Sequence, residues 1–326
     1  MSSRPTPTPE ILEKRARLTR AVRAFFDDLD CFEIQVPLMV SSPGLEPHLD
    51  AFEVVRSQPN RYLHTSPEYA LKKLLGLGLK RIYSLGPCFW NEPISKTHSP
   101  QFTMLEWYMT GFDLFELMTQ TEALVQTAWR SLGCPNIHID DIQLDLDSTF
   151  ERLTVRDAFK RYAGLDPWHF ESADDLLKAA QDAGLTSSQL SGRWDDIFFE
   201  IFLNHVEPQL GRERPVFLWG WPASQAALSR IDPSDPTRAL RFELFAGGLE
   251  LANAFDELID SEEQRRRFES DQHMRASMRK TVYPIDEALL DALNNMSPTS
   301  GIALGFDRLV MLMLGCSDIC EVIVSP

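Results

Sequence analysis

Glu243 and Glu250 are the residues whose type and spacing most directly suggest chemistry. They lie in Arg241-Phe-Glu-Leu-Phe-Ala-Gly-Gly-Leu-Glu-Leu-Ala-Asn-Ala254, which reads as a β-hairpin turning at Gly247-Gly248. A two-residue turn pairs Phe245 with Glu250, so Glu243 and Glu250 share one face, diagonally adjacent, with Ala252 and Ala254 beside them. Phe242, Leu244, Leu249 and Leu251 take the other face, toward the core. A small-residue floor with two carboxylates can hold Mg²⁺ against nucleotide phosphates, because magnesium takes one or two carboxylates plus substrate oxygens; two solvated glutamates are the alternative. A second segment, Gly301-Ile-Ala-Leu-Gly-Phe-Asp-Arg308, sets a small-residue strand against an arginine that opens a helix. A flat base can lie on the side-chain-poor face of such a strand, and Arg308 then meets a phosphate or the ring.

The elements that must position these residues follow from periodicity. Leu18, Val22, Phe25, Phe26 and Leu29 recur at three- and four-residue spacing, predicting an amphipathic helix over 9–29, with a strand following to Pro37. Residues 67–76 read as a short helix, and 81–92 and 101–110 as strands joined by the loop Pro93-Ile-Ser-Lys-Thr-His-Ser-Pro100. Residues 113–210 read as a mostly helical insertion whose Trp and Phe stripe at 194–202 is core, strands return at 215–219 and 239–256, and a helix starts at a capped Ser261. Lys14-Arg15-Ala-Arg17 and Arg265-Arg-Arg267 read as solvated helix faces, and His48, His138, His169 and His205 have no ligand spacing.

Taken in order, the helix ending in Phe32-Glu-Ile-Gln-Val-Pro37, the pair Phe89-Trp-Asn-Glu92 and Phe102-Thr-Met-Leu-Glu-Trp-Tyr108, and Gly301 to Arg308 resemble motifs 1, 2 and 3 of the class II aminoacyl-tRNA synthetases. With Thr65-Ser-Pro-Glu68, Pro222-Ala-Ser-Gln225 and Glu250-Leu-Ala-Asn253, the resemblance is to the lysyl group, and within it to the shortened paralogues that ligate β-lysine to elongation factor P. It implies an α+β fold, one class II synthetase-like antiparallel sheet flanked by helices in a single catalytic domain over 1–326. It also implies a homodimer built on the motif 1 helix. Only about eight residues precede that helix, so an anticodon-binding module is not expected.

The resemblance also assigns roles. ATP would be held by Glu92, His98, Phe102, Glu250, Leu251, Gly305 and Arg308, with Glu92 and Arg308 at the reacting phosphate. The amino acid would be held by Ser66, Glu68, Glu106, Tyr108, Asn253, Glu257 and Ala303, its ammonium groups against the carboxylates. Alanine at 303, where ordinary lysyl-tRNA synthetases have glycine, matches the elongation-factor ligases. Motif 2 departs from the pattern: Trp90 stands in place of an arginine that contacts the α-phosphate and the substrate carboxylate, Ser99 in place of asparagine and Gln101 in place of glutamate. Lys96 could offer a point charge instead.

Composition sets the bounds. The chain has 326 residues, 44% hydrophobic, and a formal net charge of −16, which argues against a broad nucleic-acid surface and so against tRNA as a partner. Its five cysteines form no Cys-x-x-Cys, fitting reduced thiols, and neither a signal core nor a membrane span is evident, so the expected location is cytoplasmic. The function expected is ATP-dependent activation of lysine or a β-lysine-like amino acid, with Mg²⁺, and transfer to a lysine of elongation factor P or a similar acceptor protein. Two rivals stay open: a catalytically reduced paralogue acting through protein contacts, and a ligase for another acceptor.

Overall fold

The motif 1 helix forms where the apolar spacing places it. In the computed structural model, which describes residues 5–324 except Ser57 and residues 188–191, α1 spans Pro9–Asp27. Thr8 caps it by accepting from Ile11 N, and Pro9 supplies a first-turn residue that needs no donor. Leu18, Val22 and Phe26 are fully buried, and the Phe26 ring stacks on Tyr83 at 4.5 Å. Each such side chain contributes about 1.5–3 kcal/mol of transfer free energy.

In chain order the strands are β1 (Phe32–Glu33), β2 (Met39–Val40), β3 (Tyr62–Leu63), β4 (Arg81–Phe89), β5 (Gln101–Thr110), β6 (Ile137–Ile139), β7 (Ile142–Leu144), β8 (Glu151–Thr154), β9 (Val216–Trp219), β10 (Arg241–Ala246), β11 (Leu249–Asp256) and β12 (Thr299–Gly305). The other helices are α2 (Glu68–Gly76), α3 (Leu114–Ser131), α4 (Val155–Tyr162), α5 (Ala173–Asp182), α6 (Trp194–Ile201), α7 (Ser261–Ser277), α8 (Glu287–Leu293) and α9 (Phe306–Leu314). Eight strands form one sheet in the order β1-β4-β5-β12-β11-β10-β9-β8. Its interior is antiparallel, as expected, while both edges are closed by parallel pairs, β1 with β4 and β8 with β9.

One face of the sheet packs against α1, α3 and α9 in the main core, with Trp107, Phe242, Leu244, Ile302 and Leu304 pointing into it. The opposite face carries the site, flanked by a second core under α2, α7 and α8 and a third under α4, α5 and α6. The structure divides the 113–210 stretch: α3 and the β6–β7 hairpin join the main core, α4 to α6 build their own, and β8 extends the sheet. The α7 cap is Asp260, not Ser261, since the Asp260 carboxylate accepts from Glu262 N and Glu263 N.

The predicted hairpin is present. Gly247 and Gly248 both have positive φ, 62° and 76°, as a tight primed turn requires, and Phe245 pairs with Glu250. The alternation beyond it differs from the expectation. A register shift between Leu244 and Phe245 pairs Leu244 with Ala252 and Glu243 with Asn253, leaving Leu251 as the extra residue of a bulge. Ala252 and Ala254 therefore lie in the core, and Asn253 is the neighbour of Glu243.

The basic runs are only partly solvated faces. Arg15 forms an ion pair with the buried Asp307 at 2.6 Å and donates to Thr103 Oγ1, while Asp307 also accepts from Thr103 N, so α1, β5 and α9 are tied at one point. Arg267 donates to the carbonyls of Ala227 and Ser229, holding the loop before β10.

Candidate active site

A cavity of about 470 Å³ opens on the free sheet face. Alternation along β5 sends Glu106 and Tyr108 into it while Leu105, Trp107 and Met109 go to the core; along β11 it sends Asn253, Phe255 and then Glu257 to the same side. From β12 come Gly301, Ala303 and Gly305. Gly301 is not bare floor: a Cβ there would collide with the Tyr108 ring and the Glu257 carboxylate, so the glycine is required by their close approach.

Acidic groups gather at one end. Glu106 accepts from Tyr108 Oη and from Ser66 Oγ, each at 2.7 Å, and burial together with the nearby Glu68 pushes its carboxyl up to about 8. Glu68 opens α2, and Lys72 follows one helical turn later on the same face. Lys72 Nζ lies 2.6 Å from both Glu68 and Glu257. Burial works against the charge of Lys72, yet Glu257 and Glu68 hold it above the usual lysine range. Glu46 lines the cavity with its side chain open to it, and the surrounding protein, with Glu68 nearby, pushes its carboxyl up to about 7.

The other end is built around Arg308. Its guanidinium donates to the Glu250 carbonyl at 2.7 Å, to Thr97 O at 3.2 Å and to His98 Nε2 at 2.7 Å. Because Nε2 accepts, the His98 proton belongs on Nδ1, beside Ser95 Oγ and Thr97 Oγ1. Burial and Arg308 both lower the histidine's affinity for a second proton. Phe102 and Trp90 meet edge to face at 4.8 Å, both lining the cavity. The Trp90 indole N–H is spent on Thr65 O at 2.9 Å and presents no donor to a phosphate.

The structure thus brings together Ser66, Glu68, Glu106, Tyr108, Asn253, Glu257 and Ala303 at the acidic end, and His98, Phe102, Glu250, Leu251, Gly305, Arg308 and Trp90 at the other. Glu92 and Glu243 do not line the cavity. Glu92 is half-buried on the motif 2 loop; Glu243 lies beneath Arg241, whose Nη2 is 2.5 Å from Oε1. The bulge at Leu251 lets Glu250 share this face, 3.9 Å from Arg308.

Arg241, Lys72 and Glu46 are site residues that the sequence reading did not single out, and His48, read there as a histidine without ligand spacing, lines the cavity. Arg241 rests 4.6 Å over Trp221 and also donates to Asn253 Oδ1 and Gln225 O. Strand parity alone places it on the Glu243 face, a signal available in the sequence. Among the described residues lining the cavity, Arg241 and Arg308 are the arginines, and no lysine joins them.

The profile of the tRNA synthetases class II (D, K and N) matches residues 2–326. This chain belongs to that family. Within it, the chain is 38% identical to the elongation factor P–(R)-β-lysine ligase of Hamiltonella defensa and 38% to that of Proteus mirabilis, in each case over 97% of this chain and 94% of the relative. The ligase of Yersinia enterocolitica is 39% identical over the same shares. This class II chain therefore belongs with the elongation factor P ligases. The α+β sheet expected from its motifs is the one observed. Among the described residues no helix is long and apolar enough to cross a membrane.

Proposed function

We propose that this protein activates lysine or a β-lysine-like amino acid with ATP and transfers it to a lysine of elongation factor P. The observation that carries the reading is the acidic end of the cavity. Glu68, Glu106 and Glu257 face one another there with a single internal ammonium, Lys72, a surplus of carboxyl groups over cations suited to a substrate bearing amino groups. The substrate carboxylate then extends toward Asn253 and Arg241, and the adenine lies near Phe102 and Arg308. In the first step the carboxylate oxygen attacks the α-phosphorus and pyrophosphate leaves. In the second, the acceptor amine forms an amide bond to the acyl carbon, the acyl–oxygen bond breaks, and AMP leaves with the electron pair.

Mg²⁺ suits Glu250, whose carboxylate is 42% exposed on the cavity side. Glu243 lies beside it but is buried beneath Arg241, where burial and the nearby Glu250 raise its carboxyl to about 8 while Arg241 pulls it down, so it would join the ion by giving up Arg241. Among the described residues no cluster of three His, Cys, Asp or Glu could hold a metal alone, which fits an ion completed by phosphate oxygens. Bound there, Mg²⁺ would neutralise phosphate charge.

We read residues 1–326 as one catalytic domain acting as a homodimer without tRNA. Phe32, Leu38 and Met39 are 62%, 41% and 51% exposed beside α1, an apolar surface suited to a second copy. Light scattering should give about twice 37.2 kDa at micromolar concentration; a strict monomer would refute the dimer. ATP–pyrophosphate exchange over a panel of amino acids, followed by mass spectrometry of elongation factor P, tests the ligase reading. Nucleotide binding without exchange would favour a non-catalytic paralogue, and exchange without modification of elongation factor P would favour another acceptor.

A further inference from the structure

A second cavity, of about 480 Å³, adjoins the first between the start of α6, the segment before β10 and α7. The two share a wall of Glu46, His48, Ala227, Leu228 and Arg241. Arg193, Phe199 and Ser270 line the second cavity and are exposed, so it opens to solvent on the side away from that wall.

Its interior is set with acceptors. Gln225 is 8% exposed, and its Nε2 donates to Asp195 Oδ1 at 3.2 Å. That bond fixes the amide, because the flipped group would set oxygen against oxygen. Gln225 Oε1 is thereby left as a buried acceptor with no partner. Asp271 faces the same space; burial pushes its carboxyl up to about 6, while Arg267 and Arg275 pull it down. The arginines lining this cavity already face carboxylates or carbonyls. Arg241 holds Glu243, Arg267 holds Glu263 at 3.0 Å and two carbonyls, and Arg193 stands 4.0 Å from Asp196. An orphaned buried oxygen among carboxylates, at a solvent-facing mouth beside a reaction cavity, calls for a positively charged donor on a slender stem.

We propose that this second cavity is the entry for the acceptor's lysine side chain, with Gln225 Oε1, Asp195 and Asp271 guiding its ammonium toward the shared wall. The inference rests on the ligase reading and names the path of its second substrate. These three are positioning residues, since none lines the cavity where the amino acid is activated.

The test separates the two half-reactions. Asp195→Asn, Asp271→Asn and Gln225→Met are compared with wild type in ATP–pyrophosphate exchange and in transfer, using elongation factor P and, separately, Nα-acetyl-lysine methylamide as acceptors. Exchange should stay within about twofold, which also reports intact folding, while the acceptor KM rises about tenfold, the scale of one lost charge-assisted hydrogen bond. Raised salt should weaken acceptor use more in wild type than in the variants. An unchanged acceptor KM in all three variants overturns the inference and leaves the ligase reading standing. No exchange in wild type overturns the ligase reading, and the inference with it.

Discussion

Lys72 Nζ sits 2.6 Å from Glu68 Oε1 and 2.6 Å from Glu257 Oε2, with Lys72 2% and Glu257 1% exposed. The lysine balances two carboxylates that the cavity needs charged, and Glu106 is left to be balanced by the substrate. Removing one partner of a buried ionic cluster costs far more than the cluster contributes, because the remaining charge is stranded.

Lys72→Met should therefore lose about 3–5 kcal/mol of stability near pH 8. The loss should shrink toward pH 5, where a proton neutralises the stranded Glu257, whose carboxyl burial raises to about 8. Thermal melts of variant and wild type at both pH values decide it; an equal loss at the two would show that packing, not charge, is at stake.

Glu106 makes substrate affinity depend on pH. Burial raises its carboxyl to about 8 in the free protein, against 4.5 for an unperturbed glutamate. The folded protein thus holds this proton more tightly than the unfolded chain, so the contribution to stability is complete below pH 4.5 and fades as pH rises toward 8. An ammonium ligand needs the ionised form and must expel the proton. Affinity for lysine-like amino acids should rise between about pH 6 and 8.5, with proton release seen by calorimetry in buffers of different ionisation enthalpy. Glu106→Gln should flatten the profile; a flat wild-type profile would refute the assignment.

Trp90 should slow activation. An arginine aimed at a reacting phosphate is a preorganised charge, worth on the order of 10²–10³ in rate. The indole has spent its N–H on Thr65 O. Trp90→Arg should raise pyrophosphate exchange with lysine or β-lysine, provided the space beside Phe102 admits the guanidinium. Wild-type exchange at a typical synthetase rate, about 1–10³ s⁻¹, would show that the charge is supplied elsewhere. Lys96→Ala and Arg241→Lys would then locate it.

Glu250→Gln should weaken Mg·ATP binding with little loss of stability, since the side chain is 42% exposed. Glu243→Gln should weaken it too, and should also loosen Arg241, which now rests on that carboxylate. Calorimetry with Mg·ATP, and with ATP in EDTA, separates the metal from the nucleotide. Unchanged Mg·ATP affinity in both variants would remove the hairpin as the metal site.

What the sequence determined was local. The apolar spacing of Leu18, Val22 and Phe26, the paired glycines at 247 and 248, and the small-residue strand before Arg308 each encode their element within a few residues, because helix faces, turns and strand alternation depend on near neighbours. The order of those elements was enough to identify the family. Tertiary structure decided which charges meet. The bulge at Leu251 brought Asn253 onto the face of Glu243 and Glu250 and sent Ala252 and Ala254 into the core, through pairing with β12 on one side and β10 on the other, which alternation along one strand cannot reveal. Lys72 does not stand out in the sequence, and Arg15 reads there as a solvated face. Their true partners, Glu257 and Asp307, lie far along the chain, and only packing brings a buried charge to the group that must neutralise it.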